Sequence, residues 1–239
     1  MRIAIVGATG NVGTALLRRI QESGVETEIV GIARRKPATN REPYHGVTWH
    51  EIDIGRFDAP DKLAAALEGV DAVVHLGWIL QPNHDEEELY RVNVTGTGHV
   101  TAAAGKAGVR QFVYASSVGA YSPAPKDRRT GEDWPTGGIH TSHYSRQKAA
   151  VERVIDRFEA TYPKIVVSRL RPGLIFQTAN GSEAGRYFLG PLVPKSLADK
   201  IKLPVLPLPR TMIFQAVHSD DVADAYWRVL ELRAGGAFN

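Results

Sequence analysis

Met1-Arg-Ile-Ala-Ile-Val-Gly-Ala-Thr-Gly-Asn-Val-Gly13 is the stretch on which the reading of this chain turns. Ile3 to Val6 is a short apolar run with β-branched residues, the pattern of a strand buried on both faces. It meets glycines at 7, 10 and 13 and then Thr14-Ala-Leu-Leu-Arg-Arg-Ile20, which reads as a helix. Strand, glycine turn and helix in that order form the setting in which a loop binds a dinucleotide. Gly7 allows a tight turn, Gly10 a close backbone approach to a pyrophosphate, and Gly13 close packing of helix on strand. The phosphates would meet the N–H groups and positive end of that helix. A plain glycine-rich turn is the blander alternative. The spacing is G-x-x-G-x-x-G, not the commoner G-x-G-x-x-G.

Composition narrows the classes. The chain has 239 residues, 43% of them hydrophobic and 23% charged, enough for one large α/β domain or a domain with a small lobe. A net charge of +3, spread over 29 basic and 26 acidic side chains, leaves no basic tract, so nucleic acid is not expected as a partner. With no cysteine, disulfides, thiol chemistry and Cys-ligated metals are excluded. A strand starting at residue 2 implies no secretory leader. The apolar stretch 203–209 is interrupted by prolines and cannot span a bilayer. A soluble cytoplasmic protein is the expectation.

Outward from the loop, strands and helices alternate. Residues 26–33 read as strand two, followed by a loop rich in Pro, Asn and Gly with at most a poor helix. Residues 47–52 read as strand three, 59–67 as an Ala-rich helix, and 71–76 as strand four. A long helix over 85–106 opens on acidic residues, which suit a helix N-terminus. Residues 111–115 and 165–170 read as strands five and six, with a helix over 143–160 between them. This alternation implies parallel βαβ units, an α/β fold with a doubly wound, mostly parallel sheet. Five prolines between 191 and 209 mark a change of texture, and residues 172–217 read as a small lobe over the carboxyl edge of the sheet. A last helix, near 219–232, starts at Ser219-Asp-Asp221. The expected division is a dinucleotide-binding domain, 1–171, and a substrate lobe with the final helix, 172–239.

The chemistry centres on Tyr144-Ser-Arg-Gln-Lys148. Positions i and i+4 share a helix face, so phenol and ammonium point the same way. An adjacent cation favours the phenolate and lowers a tyrosine pKa, making the pair a proton shuttle at an alcohol carbon. Alone this is a weak sign, since eight tyrosines make chance pairs common. Ser116-Ser117 at the end of strand five strengthens it, because a hydroxyl there could hydrogen-bond a carbonyl or alkoxide oxygen as charge develops. By itself Ser-Ser at a strand end would read as a cap or turn.

Together these residues resemble the short-chain dehydrogenase/reductase superfamily, in its extended branch, the NAD-dependent epimerase/dehydratase family. The matches run in the family's order: the Gly7–Gly13 loop; Asp53-Ile54; His75-Leu-Gly-Trp78; Asn93-Val-Thr-Gly-Thr97; Tyr114-Ala-Ser-Ser117 with Tyr121; Tyr144 and Lys148; Arg171-Pro-Gly173; and His218-Ser-Asp-Asp-Val-Ala223. The resemblance implies a Rossmann-type fold, with Tyr144 as acid/base and Lys148 holding the nicotinamide ribose. It makes Ser117 the catalytic serine, with Ser116 as the fallback. Thr9, Asn11 and Val12 join Gly7, Gly10 and Gly13 around the phosphates. Asp53 and Ile54 would contact the adenine, and Leu76, Gly77 and Trp78 would line the cofactor. Pro172 and Gly173 would approach the nicotinamide, and Asn93 has a supporting role. His75, His140 and His143 lack a recognised ligand spacing, so no metal is expected.

The implied function is NAD(P)-dependent oxidoreduction, epimerisation or dehydration at a hydroxyl- or carbonyl-bearing carbon of a small molecule, a nucleotide sugar among the options. A non-catalytic NAD(P)-binding sensor is the alternative. A homodimer is admitted; no membrane or nucleic-acid partner is expected. Arg186, Tyr187, Phe188 and Arg210 are possible substrate contacts. Counting about 20 residues past the loop, where an NAD-selective fold has an acid, lands on Ala33, followed by Arg34-Arg35, which favours NADP over NAD. Two departures from the family stand out. Trp78 replaces a usually small residue and would narrow the nicotinamide end. Gly235-Gly-Ala-Phe-Asn239 resembles the start of a further strand, too short to complete one, with the rest of the lobe expected in a longer parent chain.

Overall fold

The computed structural model describes residues 1–81, 84–125, 127, 129–177 and 215–239. Its frame is a seven-stranded, wholly parallel sheet. Strands β1 (Arg2–Val6), β2 (Glu28–Ala33) and β3 (Thr48–Glu51) wind to one side. Strands β4 (Ala72–His75), β5 (Gln111–Ala115), β6 (Val166–Leu170) and β9 (Gly236–Phe238) wind to the other, giving the order β3-β2-β1-β4-β5-β6-β9. The winding reverses between β1 and β4, so their carboxyl ends open a crevice there. A small parallel pair, β7 (Leu174–Phe176) with β8 (Ala216–His218), stands apart from the main sheet.

The period-two alternation of β1 explains why the sheet needs helices on both faces. Ala4 and Val6 join one core, with α2 (Ala59–Ala66), α4 (Gly96–Ala107) and α5 (His143–Thr161). Ile3 and Ile5 join the other, with α1 (Asn11–Glu22) and α6 (Ser219–Leu232). On α6, Tyr226 and Trp227 are only 1% exposed, and burial of rings this size contributes about 2–3 kcal/mol each. Arg19 reinforces the α1–α6 seam by pairing with Asp224 at 2.7 Å.

The long helix expected over 85–106 forms, but with an interruption. α3 (Glu86–Tyr90) passes through a π-turn, Arg91–Thr95, before α4 begins. The loop after β2 contains no helix. One expectation is corrected: residues near the end do form a strand of the sheet. Gly236 to Phe238 pair with Ser168 to Leu170, and Arg171 N–H donates to Phe238 O at 2.8 Å. Three residues suffice because β6 already presents a free ladder edge. Residues 178–214, with Arg186, Tyr187, Phe188 and Arg210, lie outside the described residues. Among the described residues, no helix is long and apolar enough to cross a membrane.

Candidate active site

The glycine loop fills the switch point. Gly7 has φ +85°, and a Cβ there would sit 2.9 Å from Gly77 N, so the residue must be glycine on both counts. A Cβ on Gly13 would lie 2.5 Å from Gly7 O, which is how α1 packs tightly onto the loop. Gly10 caps α1 without a side-chain hydrogen bond, and the first turn has no acidic residue. That leaves the positive helix end facing the crevice without a competing carboxylate. Asn11 Oδ1 is buried there without a hydrogen-bond partner among the described residues.

Beside the loop lies a cavity of about 190 Å³, lined by Gly7, Thr9 and Gly10, by Ile32, Ala33 and Arg34 from the end of β2, by Ile52 and Ile54, and by Leu76, Gly77, Trp78, Ile79 and Val92. The apolar walls and the glycine cradle suit an adenosine and its phosphates. Ile32, Ala33, Ile52, Ile79 and Val92 were not foreseen from the sequence, although Ile52 and Ile54 alternate as a strand end should. Val12, Gly13, Arg35 and Asp53 are not on the wall. Asp53 instead accepts hydrogen bonds from Gly55 N at 3.0 Å and Arg91 at 3.1 Å. Burial pushes its carboxyl up, but those bonds and the charges of Arg91 and Arg34 hold it below the usual carboxylate range. A larger depression of about 490 Å³ between α4 and α5 holds none of the candidate catalytic or cofactor-binding residues.

The second half of the site is built by α5. Ser142 caps it, and Ser145 Oγ donates to Gly119 O at 2.5 Å while accepting from Ile139 N at 2.7 Å. These bonds pin the helix to the 3₁₀ turn Val118–Ala120 that follows β5. Ser117 caps that turn, accepting from Gly119 N at 3.0 Å. Ser117 Oγ and the Tyr144 ring both lie against Gly119, whereas Ser116 Oγ turns away and donates to Glu152 at 2.6 Å. Pro172 O accepts from Val118 N at 3.1 Å, and Gly173 packs against Gln215.

Lys148 is 3% exposed, donates to Ala115 O at 2.7 Å and Tyr114 Oη at 3.3 Å, and places its ammonium 3.6 Å from the centre of the Trp78 ring. Burial brings it down to about pKa 7, against the opposing pull of Glu152. The lowered tyrosine pKa expected from sequence does not hold in this arrangement. Burial raises Tyr144, the neighbouring Ser117 hydroxyl lowers it only in part, and the ammonium stands 6.0 Å from the ring centre.

Two supports hold this half in place. Asn93 accepts from Ile79 N at 2.8 Å and donates to Ile79 O and to Gln147 Oε1, both at 2.9 Å, stapling the loop after β4 to α5. Glu152, fully buried one turn past Lys148, takes Arg171 at 3.0 and 3.1 Å, and Arg171 also donates to Tyr121 Oη at 2.9 Å. Glu152 was missed by the sequence reading, although it lies on the same helix face as Tyr144 and Lys148. His75 is buried against Thr97 Oγ1 at 2.9 Å, and burial, helped by the charge of Lys148, brings it down to about pKa 3, so it stays neutral. Among the described residues, no cluster of His, Cys, Asp or Glu could hold a metal ion.

Comparison with known proteins agrees with this architecture. The chain is 28% identical over 177 residues to a uronate dehydrogenase of Pseudomonas putida, covering 68% of this chain and 62% of that one. It is 29% identical over 236 residues to the dTDP-6-deoxy-L-talose 4-dehydrogenase (NAD(P)(+)) of Kitasatospora kifunensis, covering 94% of this chain and 68% of that one. The fold matches that of the UDP-glucose 4-epimerase of Thermus thermophilus, solved as a complex with NAD, with a TM-score of 0.75 at 22% identity over 100% of this chain and 77% of the other. The chain spans about half to two thirds of the length of the curated relatives that it matches over most of its own. A family model described as the NAD dependent epimerase/dehydratase family matches residues 3–239. The chain belongs to the NAD-dependent epimerase/dehydratase family.

Proposed function

We propose that this chain is an NAD(P)-dependent enzyme that works at a hydroxyl- or carbonyl-bearing carbon of a small molecule, with nucleotide sugars as the favoured substrate class. The observation that carries the reading is the convergence of Ser117 and Tyr144 at Gly119, beside the buried Lys148, at the carboxyl edge of the sheet that also holds the glycine loop. The substrate class rests on relatives and neighbours whose names specify sugar nucleotides or uronate. When bound, a nicotinamide supplies the hydride donor or acceptor. The glycine loop and the end of α1 would hold the pyrophosphate, and Ile32, Ile52 and Ile54 would sandwich the adenine. Arg34, on the cavity wall, would take a 2′-phosphate, which favours NADP.

Tyr144 moves the proton at the reacting oxygen, and Ser117 donates a hydrogen bond to that oxygen as charge develops. Lys148 would supply the positive charge that favours a phenolate. The segment 172–239 carries the substrate contacts. Tyr144→Phe should abolish turnover in a nicotinamide absorbance assay with nucleotide sugars, ketones and aldehydes, while calorimetric cofactor affinity stays nearly intact. Retained turnover overturns the assignment.

A further inference from the structure

The cofactor cavity and the Tyr144–Lys148 pair are neighbours, yet one side chain separates them. Trp78 lines the cavity on one side. On the other, its ring meets Tyr144 edge-on, with centroids 5.8 Å apart and planes at 78°, and its face carries the Lys148 ammonium at 3.6 Å. Tyr144, Lys148 and Ser117 contribute nothing to the cavity wall. The cavity, at about 190 Å³, is smaller than the roughly 300–1,000 Å³ usual for a drug-sized ligand, and a dinucleotide is larger still. It has room for one end of such a cofactor. The reacting end must reach Tyr144, and the indole stands in the way.

The indole's seat is held on balance rather than locked. The cation–π contact with Lys148 and the edge-on contact with Tyr144 favour it. Against it, the indole Nε1–H is buried without a hydrogen-bond partner among the described residues, which costs free energy of similar size. The Lys148 ammonium, unlike the indole N–H, has partners in Trp78, Ala115 O and Tyr114 Oη, but burial disfavours its charge. A ligand group that takes the ammonium therefore removes the main attraction holding the indole.

We propose that Trp78 is the residue that sets how well this protein accepts a whole dinucleotide: its indole occupies the passage to Tyr144 and Lys148 and must be displaced by the nicotinamide half, while the adenosine–phosphate half binds without moving it. The inference rests on the cofactor reading above. Affinity for the dinucleotide is reduced by the fraction of molecules in which the passage is closed, and affinity for the half-ligand is not. Trp78 thus discriminates between complete cofactor and its adenosine-phosphate fragments.

The test measures calorimetric affinities of NADP⁺ against 2′,5′-ADP, and of NAD⁺ against ADP, for wild type, Trp78→Phe and Trp78→Ala. Trp78→Ala should tighten the dinucleotides about tenfold and leave the half-ligands within twofold, with Trp78→Phe between. In parallel, wild-type protein labelled with 5-fluorotryptophan, its Trp78 resonance assigned by loss in Trp78→Phe, should show that resonance shift with dinucleotide and hold still with half-ligand. This readout needs no variant beyond the assignment. Equal changes in both affinities, or an unmoved Trp78 resonance at saturating dinucleotide, overturn the gate while leaving the cofactor reading in place. Failure of every nucleotide to bind wild type overturns both.

Discussion

Replacing Lys148 by methionine should stabilise the protein while disabling its site. The ammonium is 3% exposed, and burial brings it from its ordinary 10.5 to about 7. At about 1.4 kcal/mol for each tenfold change in proton affinity, holding it charged inside the fold costs on the order of 5 kcal/mol. The cost is fully present below about pH 7, where folded and unfolded chains both carry the proton. From about 7 to 10.5 the unfolded chain binds a proton that the folded chain does not, so stability from this group rises with pH. Methionine keeps most of the stem and removes the charge. It also strips a donor from Ala115 O and Tyr114 Oη and a cation from Trp78, together about 2–4 kcal/mol. The net gain expected with no nucleotide added is about 1–3 kcal/mol near pH 6. Between pH 6 and pH 9 wild type should gain about 2–3 kcal/mol on the variant, so that the advantage of methionine vanishes or reverses. Urea denaturation of both proteins at several pH values, without nucleotide, measures this directly. A variant less stable than wild type by the same amount at every pH would refute the claim that the lysine's charge is held at a cost.

Two further outcomes follow from the same geometry. Glu152→Gln leaves Arg171 buried without its carboxylate and should lower unfolding free energy by about 3–5 kcal/mol; adding Arg171→Met should recover part of that, and strictly additive losses in denaturant titrations would show that the two do not act as a pair. Arg34→Ala should cost NADPH about tenfold in affinity, the scale of one charge-assisted phosphate contact, and leave NADH nearly unchanged; equal wild-type affinities, unmoved by the substitution, would make Arg34 a surface residue with no part in selectivity.

Local pattern was enough for the parts of this protein that depend on neighbours in sequence. The β1 alternation, the Gly7–Gly13 loop and the four-residue spacing of Tyr144 and Lys148 are properties of one strand, one turn and one helix. Each implies its geometry from backbone periodicity alone. Most of the cavity wall follows in the same way, because residues at the ends of β1, β2 and β4 converge wherever a parallel sheet changes its winding.

What depended on the tertiary structure was every choice between adjacent or distant partners. Ser116 and Ser117 are equivalent as letters; only the 3₁₀ turn and the buried Glu152 keep one hydroxyl at Gly119 beside Tyr144 and send the other to the carboxylate. Glu152 and Arg171 are 19 residues apart and meet because β6 runs alongside α5. Gly236 to Phe238 become a strand because β6 offers an edge, which no local propensity encodes. The sequence identified Trp78 as out of keeping with its family, but not that its ring lies between cavity and lysine. That placement follows from packing loop, helix and strand ends together, and burial energies are summed over contacts that lie far apart in the chain.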